Sequence, residues 1–281
     1  MDALEIKNLS KRQGDFYLDS VNLRLPGGCI MGLIGENGAG KTTLLHLILQ
    51  MRKKDCGTVT LFGQDTDAAL CSMKEDMGVV LDEAGFPECL TAVQVGRVLK
   101  NTYRNWDDGV FQSLLQRLSV PADKPFKAFS RGMKMKLGIA AALSHQPKLL
   151  LLDEATNGLD PVAREEILDI LREFTLSEDH AVLISSHIVS DLEKLCDYVA
   201  FLHQGKLLLC EEKDRLQEIY GMLQCDAAQL REIDSDAILG KRTSPYGVQA
   251  VVRKADVPAS LPLGAVNLEE LFLFMIRGEN E

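Results

Sequence analysis

Gly35 to Thr42 reads GENGAGKT. That spacing fits the phosphate-binding pattern G-x-x-x-x-G-K-[ST], in which backbone N–H groups turn inward to cradle phosphate oxygens. Gly35, Gly38 and Gly40 keep the approach open, because side chains there would stand between backbone and anion. Lys41 is placed to reach the β- and γ-phosphates as a point charge, and the Thr42 hydroxyl to ligate Mg2+. Glu36, Asn37, Ala39 and Thr43 complete the candidate loop. A second group ends the apolar run Leu149–Leu152: Asp153, a carboxylate for the same cation, and Glu154, a candidate to polarise an attacking water. Two further stretches bear on phosphate. Ser130 followed by Gly132 leaves free N–H groups at a helix start, which is an anion site. His187, after Ser185 and Ser186, is placed to hydrogen-bond a γ-phosphate oxygen.

These groups need particular elements to hold them. The apolar run Cys29–Ile34 predicts a buried strand before the glycine loop, and Lys41–Met51 predicts a helix after it. Leu4–Leu25 alternates apolar and polar residues in short bursts and predicts antiparallel strands. Met77–Leu81 contains no charge and predicts a strand covered on both faces. Residues 86–126 turn to helical spacing, an insertion between two core strands. Ser130 predicts an N-cap, and Asp160 with Pro161 opens another amphipathic helix. A strand is expected over Ala181–Ile184, a helix over Ile188–Cys196, and a hairpin around His203–Gly205. Strands alternating with helices imply a mostly parallel sheet with crossover helices and the glycine loop at a strand's carboxyl end.

Beyond Glu212 the character changes. A polar helix, Lys213–Tyr220, precedes a loop-rich stretch that contains Lys241–Tyr246 (KRTSPY). The closing helix, Asn267–Arg277, has a capping residue, early acids, a late Arg and Gly278 just after it. Its run Leu271–Ile276 is apolar nearly all round, so it is buried either on its own small domain or in a subunit interface.

The 281 residues suffice for one large α/β domain plus an appendage. With 31 basic against 41 acidic side chains, the net charge of -10 argues against a nucleic-acid partner. No run reaches the roughly 18 apolar residues of a membrane span, and residues 1–10 carry no export-signal pattern. Seven scattered cysteines and five histidines have no metal-ligand spacing. A cytoplasmic chain with reduced thiols is expected.

The order of these motifs resembles the ATP-binding cassette (ABC) family, the ATPase subunits of ABC transporters, over residues 4 to about 212. The resemblance implies an α/β fold: a P-loop NTPase domain over residues 1–212 with an antiparallel β subdomain and a helical subdomain at about 84–145. Residues 213–281 would form a small α+β accessory domain. Gly35 to Thr43 corresponds to the Walker A loop, Asp82 to the Q-loop position, Phe129 to Lys134 to the signature motif, Asp153 and Glu154 to the end of Walker B, Asn157 to Asp160 to the D-loop, and His187 to the switch histidine.

By the same resemblance the cofactors are ATP and Mg2+, and the active form pairs two ABC subunits, as a homodimer or heterodimer. Ser130 and Gly132 of one would meet ATP on the other. A separate integral-membrane permease is implied, with this chain peripheral on the cytoplasmic face.

Four positions depart from the family pattern. The signature reads FSRGM, with Arg131 and Met133 in place of Gly and Gln, a form similar to cassettes paired with ABC-2-type permeases. The carboxy-terminal segment likewise resembles extensions on drug, bacteriocin and peptide exporter cassettes, which points to export of a drug, peptide or lipid-like substrate. Asp82 replaces the usual glutamine, with Glu83 beside it, and can still join a Mg2+ shell. Gln13 stands where an aromatic residue normally stacks on adenine, so base contact passes to Phe16 or Tyr17 and discrimination among nucleotides weakens. An alternative, a soluble ABC ATPase acting on the ribosome or nucleic acid, fits the single cassette and acidic balance less well.

Overall fold

The computed structural model describes residues 1–82, 85–244, 247–258 and 261–279. The chain opens with β1 (Asp2–Gln13) and β2 (Phe16–Pro26), then β3 (Ile30–Ile34), helix α1 (Lys41–Ile48), β4 (Cys56–Leu61), β5 (Gln64–Asp65) and α2 (Thr66–Met73). β6 (Met77–Val80) leads into α3 (Ala92–Lys100), α4 (Asp108–Arg117) and α5 (Arg131–Leu143). β7 (Leu149–Asp153), α6 (Pro161–Phe174), β8 (Ala181–Ser186), α7 (Val189–Leu195) and the hairpin β9 (Tyr198–His203) and β10 (Lys206–Glu212) follow.

Among the described residues these strands form a ten-stranded sheet in the order β5-β4-β1-β2-β10-β9-β3-β8-β7-β6. Its parallel part, β9-β3-β8-β7-β6, carries the chemistry at its carboxyl ends. The antiparallel part, β1 with β2 and β4, forms a wall beside it.

The apolar runs of β3, β7 and β8 are buried at every position. Successive side chains of a strand point to opposite faces, so each run feeds two cores. Ile30, Ile34, Leu150, Leu152, Val182 and Ile184 join the core beneath α3 to α7. Met31, Leu33, Leu149, Leu151, Ala181 and Leu183 join the core with α1 and the antiparallel strands. Burial on both faces is the reason these strands read as unbroken apolar sequence rather than alternation.

Helix starts follow their caps. Thr91 closes a reciprocal capping box with Gln94 at α3. The Ser130 hydroxyl accepts the Met133 N–H at 3.2 Å at α5, and Asp160 Oδ1 accepts from Val162 and Ala163 at 3.1 and 3.0 Å ahead of Pro161. Those N–H donors, Ala163's first, hold the Asp160 carboxyl below its ordinary range.

Beyond β10 come α8 (Lys213–Ile219), β11 (Tyr220–Cys225), α9 (Ala227–Leu230), β12 (Ile238–Ser244), β13 (Gly247–Arg253), β14 (Leu263–Gly264) and α10 (Leu268–Glu279). The four strands form a second, antiparallel sheet ordered β12-β13-β11-β14. Two expectations are corrected here. Lys241–Ser244 is not loop but the end of β12, paired with β13; Pro245 and Tyr246, and likewise Glu83 and Ala84 in the larger part, lie outside the described residues. The closing helix runs on through Gly278 to Glu279 rather than stopping at Arg277. Helix α2 has no counterpart among the elements expected from sequence.

The apolar girth of α10 has a physical reason. Leu271, Phe272, Phe274 and Ile276 are buried in the same core as Phe201 of β9 and Leu192 and Leu195 of α7, while the helix also packs on β12. The Phe272 ring meets Phe201 edge-on at 5.2 Å, and the Leu268 N–H donates to Glu193 of α7 at 3.1 Å. On the other side, a Cβ at Gly240 of β12 would stand 2.0 Å from the Phe274 carbonyl oxygen, so only glycine permits that approach. The helix is wedged between the two sheets and needs apolar residues on both sides.

Truncating Phe272 to Ala is expected to lower stability by about 3 kcal/mol, as for other buried Phe to Ala changes. The readout is the urea midpoint, and a loss below about 1 kcal/mol would mean that α10 rests on the large sheet without stabilising it.

Candidate functional site

The loop 35–40 leaves β3 at its carboxyl end and enters α1 at Lys41. Gly38 and Gly40 have φ of +84° and +112°, and Gly40 is the N-cap of α1. A Cβ at Gly40 would also lie 2.7 Å from Phe16 Cζ, so both backbone angle and packing require glycine there. The loop is tied down by the Ala39 carbonyl, which accepts the Gly205 N–H at 2.9 Å, and by the Ala39 N–H, which donates to Glu36 at 3.1 Å. The open N–H groups and positive dipole end of α1 face the cavity, an arrangement that favours an anion.

Lys41 is 6% exposed. Its ammonium donates to the Gly35 carbonyl at 2.7 Å and to Glu36 at 3.3 Å, and pairs with Glu154 Oε1 at 3.3 Å. A buried cation needs such partners.

Sheet order explains the next contacts. β8 lies between β3 and β7, so Asp153 at the end of β7 stands beside Ser185 of β8. The Thr42 hydroxyl donates to Asp153 Oδ2 at 2.7 Å, and the Ser185 hydroxyl donates to Asp153 Oδ1. The Ser185 Oγ and carbonyl oxygen each accept the Glu154 N–H, both at 3.1 Å. Glu154 sits at φ +52°, a left-handed conformation that is uncommon for a side-chain-bearing residue and is held here by those two bonds. Its Oε2 is 2.7 Å from His187 Nδ1. Thr42 and Asp153 together present hard oxygen donors suited to a small divalent cation that completes its shell with phosphate and water.

Gly38, Gly40, Lys41, Thr42, Asp153, Glu154 and His187 line one cavity of about 710 Å³, together with Gln13, Phe16, Glu36, Asn37, Thr43, Arg52, Asp82, Arg131 and Asn157, while Ser185 is buried behind them. Of the candidates read from sequence, Glu36, Asn37, Gly38, Gly40, Lys41, Thr42, Thr43, Phe16, Asp82, Asp153, Glu154 and His187 are brought together. Gly35 and Ala39 lie behind the lining, and Tyr17 points elsewhere, with Arg12 over its ring at 5.9 Å. Ser130 and Gly132 do not line it either. Ser130 is exposed, and Gly132 lies against the Leu159 side chain. Their neighbour Arg131 does reach the cavity, in an ion pair with Asp82. The Asp82 carboxylate is therefore directed at an arginine of its own chain.

Ser185 and Arg52 have places that the sequence did not assign, and Asn157, expected as the start of the loop 157–160, lines the cavity. Ser185 was signalled by its position before the histidine, and Asn157 by its loop. Arg52 had no sequence signal.

The chain is similar to known proteins in both sequence and fold. A family model described as ABC transporter matches residues 18–157. The bacitracin transport ATP-binding protein BcrA of Enterococcus faecalis is 35% identical over 209 residues, covering 73% of this chain and 68% of that protein. The lantibiotic transport ATP-binding protein SrtF of Streptococcus pyogenes is 36% identical over 226 residues, 77% of this chain and 95% of that protein. A solved structure of an ATP binding subunit of an ABC transporter superposes with a TM-score of 0.69 at 25% identity, covering 77% of this chain and 92% of that one. A buried P-loop lysine, a Thr42–Asp153 pair and a carboxylate bonded to a histidine thus lie in a fold shared with transport ATPase subunits, and the chain belongs to the ABC transporter family as an ATP-binding, ATP-hydrolysing subunit.

Proposed function

We propose that this subunit energises export of a peptide-antibiotic-like or similarly amphipathic substrate through a separate membrane permease, and that hydrolysis is carried by Glu154 oriented by His187. The observation that supports the chemistry best is the bonded series Thr42–Asp153–Ser185–Glu154–His187 beside Lys41. The loop N–H groups and Lys41 bind and orient the triphosphate, and Thr42 and Asp153 are the residues that would hold Mg2+. When bound, that ion supplies charge neutralisation at the β- and γ-phosphate oxygens.

Glu154 accepts a proton from the attacking water, or orients it, at Oε1, the atom that pairs with Lys41 in this structure and that Lys41 gives up when its ammonium turns to the phosphates. His187 holds the carboxylate through Nδ1 and lines the same cavity as Lys41, where its other ring nitrogen is the one left for a γ-phosphate oxygen. The exposed Ser130 and the α5 N-terminus form an anion site available to the nucleotide of a second ABC subunit. Among the described residues no helix is long and apolar enough to cross a membrane; the relatives named as transport ATP-binding proteins are what support a transport path on another chain. The cargo class rests on the relatives named for bacitracin and lantibiotic transport.

The test is to express the tagged chain in its own cell, solubilise membranes and identify what co-purifies. Recovery of a polytopic membrane protein whose reconstituted vesicles accumulate a cyclic or lanthionine peptide on ATP addition is expected. Recovery of ribosomes or nucleic acid instead would overturn the transport reading in favour of a soluble ATPase.

A further inference from the structure

We propose that Arg52, braced by Gln13, reads the nucleotide base and favours purines with hydrogen-bond acceptors on their N7 edge, so that guanosine and inosine triphosphates bind as well as ATP or better. The inference rests on the cavity being the nucleotide site.

Gln13 and Phe16 are cross-strand partners at the tip of the β1–β2 hairpin, and both line the cavity. Arg52 lies four residues beyond the end of α1, yet the chain folds back there. The N–H groups of Met51 and Arg52 donate to the His46 carbonyl at 2.9 and 3.2 Å. Arg52 is thereby level with His46, five residues along α1 from Lys41, or about 7.5 Å at the rise of a helix. That offset suits a ribose and base when the phosphates lie at Lys41.

The cavity end so defined has two surfaces. One is the Phe16 ring, packed over Gly40 and offering an apolar face to a base. The other is the Arg52 guanidinium, which donates to the Gln13 side-chain oxygen. Arg52 is thus held in place by a neutral amide, and its remaining N–H groups are donors without any acceptor capacity. Gln13 has its oxygen engaged by Arg52 and turns only donors outward.

A donor-only edge distinguishes the purines. Guanine presents N7 and O6, two acceptors that a guanidinium contacts bidentately, whereas adenine presents N7 beside an amino donor. Adenine can satisfy one donor and sets its amino group against the others. The replacement of an aromatic residue by Gln13 therefore goes beyond loosening base recognition, because it positions a second residue that chooses among bases.

The full-length chain is titrated with ATP, GTP and ITP, the last carrying O6 and N7 without the guanine amino group. Wild-type protein is expected to bind GTP and ITP within threefold of ATP or more tightly. Arg52→Ala is expected to weaken GTP and ITP by about tenfold or more, the size of a lost bidentate base contact, and ATP by much less. Gln13→Ala, which frees the guanidinium, should shift the ratio the same way by a smaller factor, and melting temperatures establish that each variant is folded.

Equal loss for all three nucleotides in Arg52→Ala, no loss at all, or wild-type binding of GTP and ITP more than tenfold weaker than ATP would overturn the base-reading role. Lys41→Ala separates the two levels of the argument. It should weaken all three nucleotides alike, and if it weakened none the cavity would not be the nucleotide site.

Discussion

Glu154→Gln is expected to lower ATP turnover by about a hundredfold or more, the contribution of a positioned general base, while ATP binding is retained or strengthened. The substitution keeps the side-chain volume and the acceptor that faces His187 Nδ1, now at 2.7 Å from Oε2. It removes the basicity and the charge, and with them the ion pair from Oε1 to Lys41. Because a negative side chain beside a polyanion repels it, the neutral variant should hold ATP more tightly than the parent. The backbone position at φ +52° depends on the two Ser185 bonds to the Glu154 N–H, which Gln leaves intact, so the melting temperature should change little.

Where two subunits pair over ATP as proposed, slow turnover with firm binding should also let that form accumulate, detected as a shift to twice the mass in size-exclusion chromatography with ATP and Mg2+. Turnover within a few-fold of wild type would mean that Glu154 serves only as a counter-ion to Lys41. Glu154→Asp supplies the geometric control: one methylene shorter, it keeps the charge but withdraws it from His187, and it should be nearly as slow.

The glycine loop was legible because everything it needs is local. A buried strand, eight residues of fixed spacing and a helix follow one another in sequence, and β3, the loop and α1 lie where that spacing puts them. The same holds for the Ser130 and Asp160 caps, whose bonds close within three residues. What joins the motifs was not legible, because it depends on strand order. Only the insertion of β8 between β3 and β7 lets Ser185 touch both Asp153 and the Glu154 N–H. Arg52 escaped for a related reason: a single turn closed on the His46 carbonyl returns it to the cavity.

The carboxy-terminal part was harder still. β12 ends in Lys241, Arg242, Thr243 and Ser244, all exposed, and an edge strand of charged and polar residues has no apolar alternation to betray it. Its strand character comes from pairing with β13. α10 offered two alternatives in sequence because both of its sides are covered, one by its own sheet and the other by α7 and Phe201.

Lys41→Met is expected to weaken ATP binding by about a hundredfold or more, with turnover falling accordingly. Lys41 is the buried cation at the mouth of α1, and its ammonium is committed to the Gly35 and Glu36 carbonyls and to Glu154. Those contacts can be exchanged for phosphate oxygens with little movement, which keeps the charge close to where the polyphosphate must lie. Charge-assisted hydrogen bonds each contribute about 1.5–3 kcal/mol, and loss of two of them accounts for the stated factor.

Met retains the apolar stem that packs at a site only 6% exposed, so lost binding should not be accompanied by collapse of the loop. Lys41→Arg supplies the control for charge. Its planar fork is wider than an ammonium and cannot converge on two carbonyls and a carboxylate in the same small space, so a retained positive charge should not restore affinity. Calorimetric titration with ATP reads both variants, with thermal melting alongside. Affinity within threefold of wild type in Lys41→Met would leave the backbone N–H groups and the α1 dipole as the whole of the phosphate site. A full rescue by Arg would mean that charge alone, rather than the fit of an ammonium among the Gly35, Glu36 and Glu154 oxygens, decides binding.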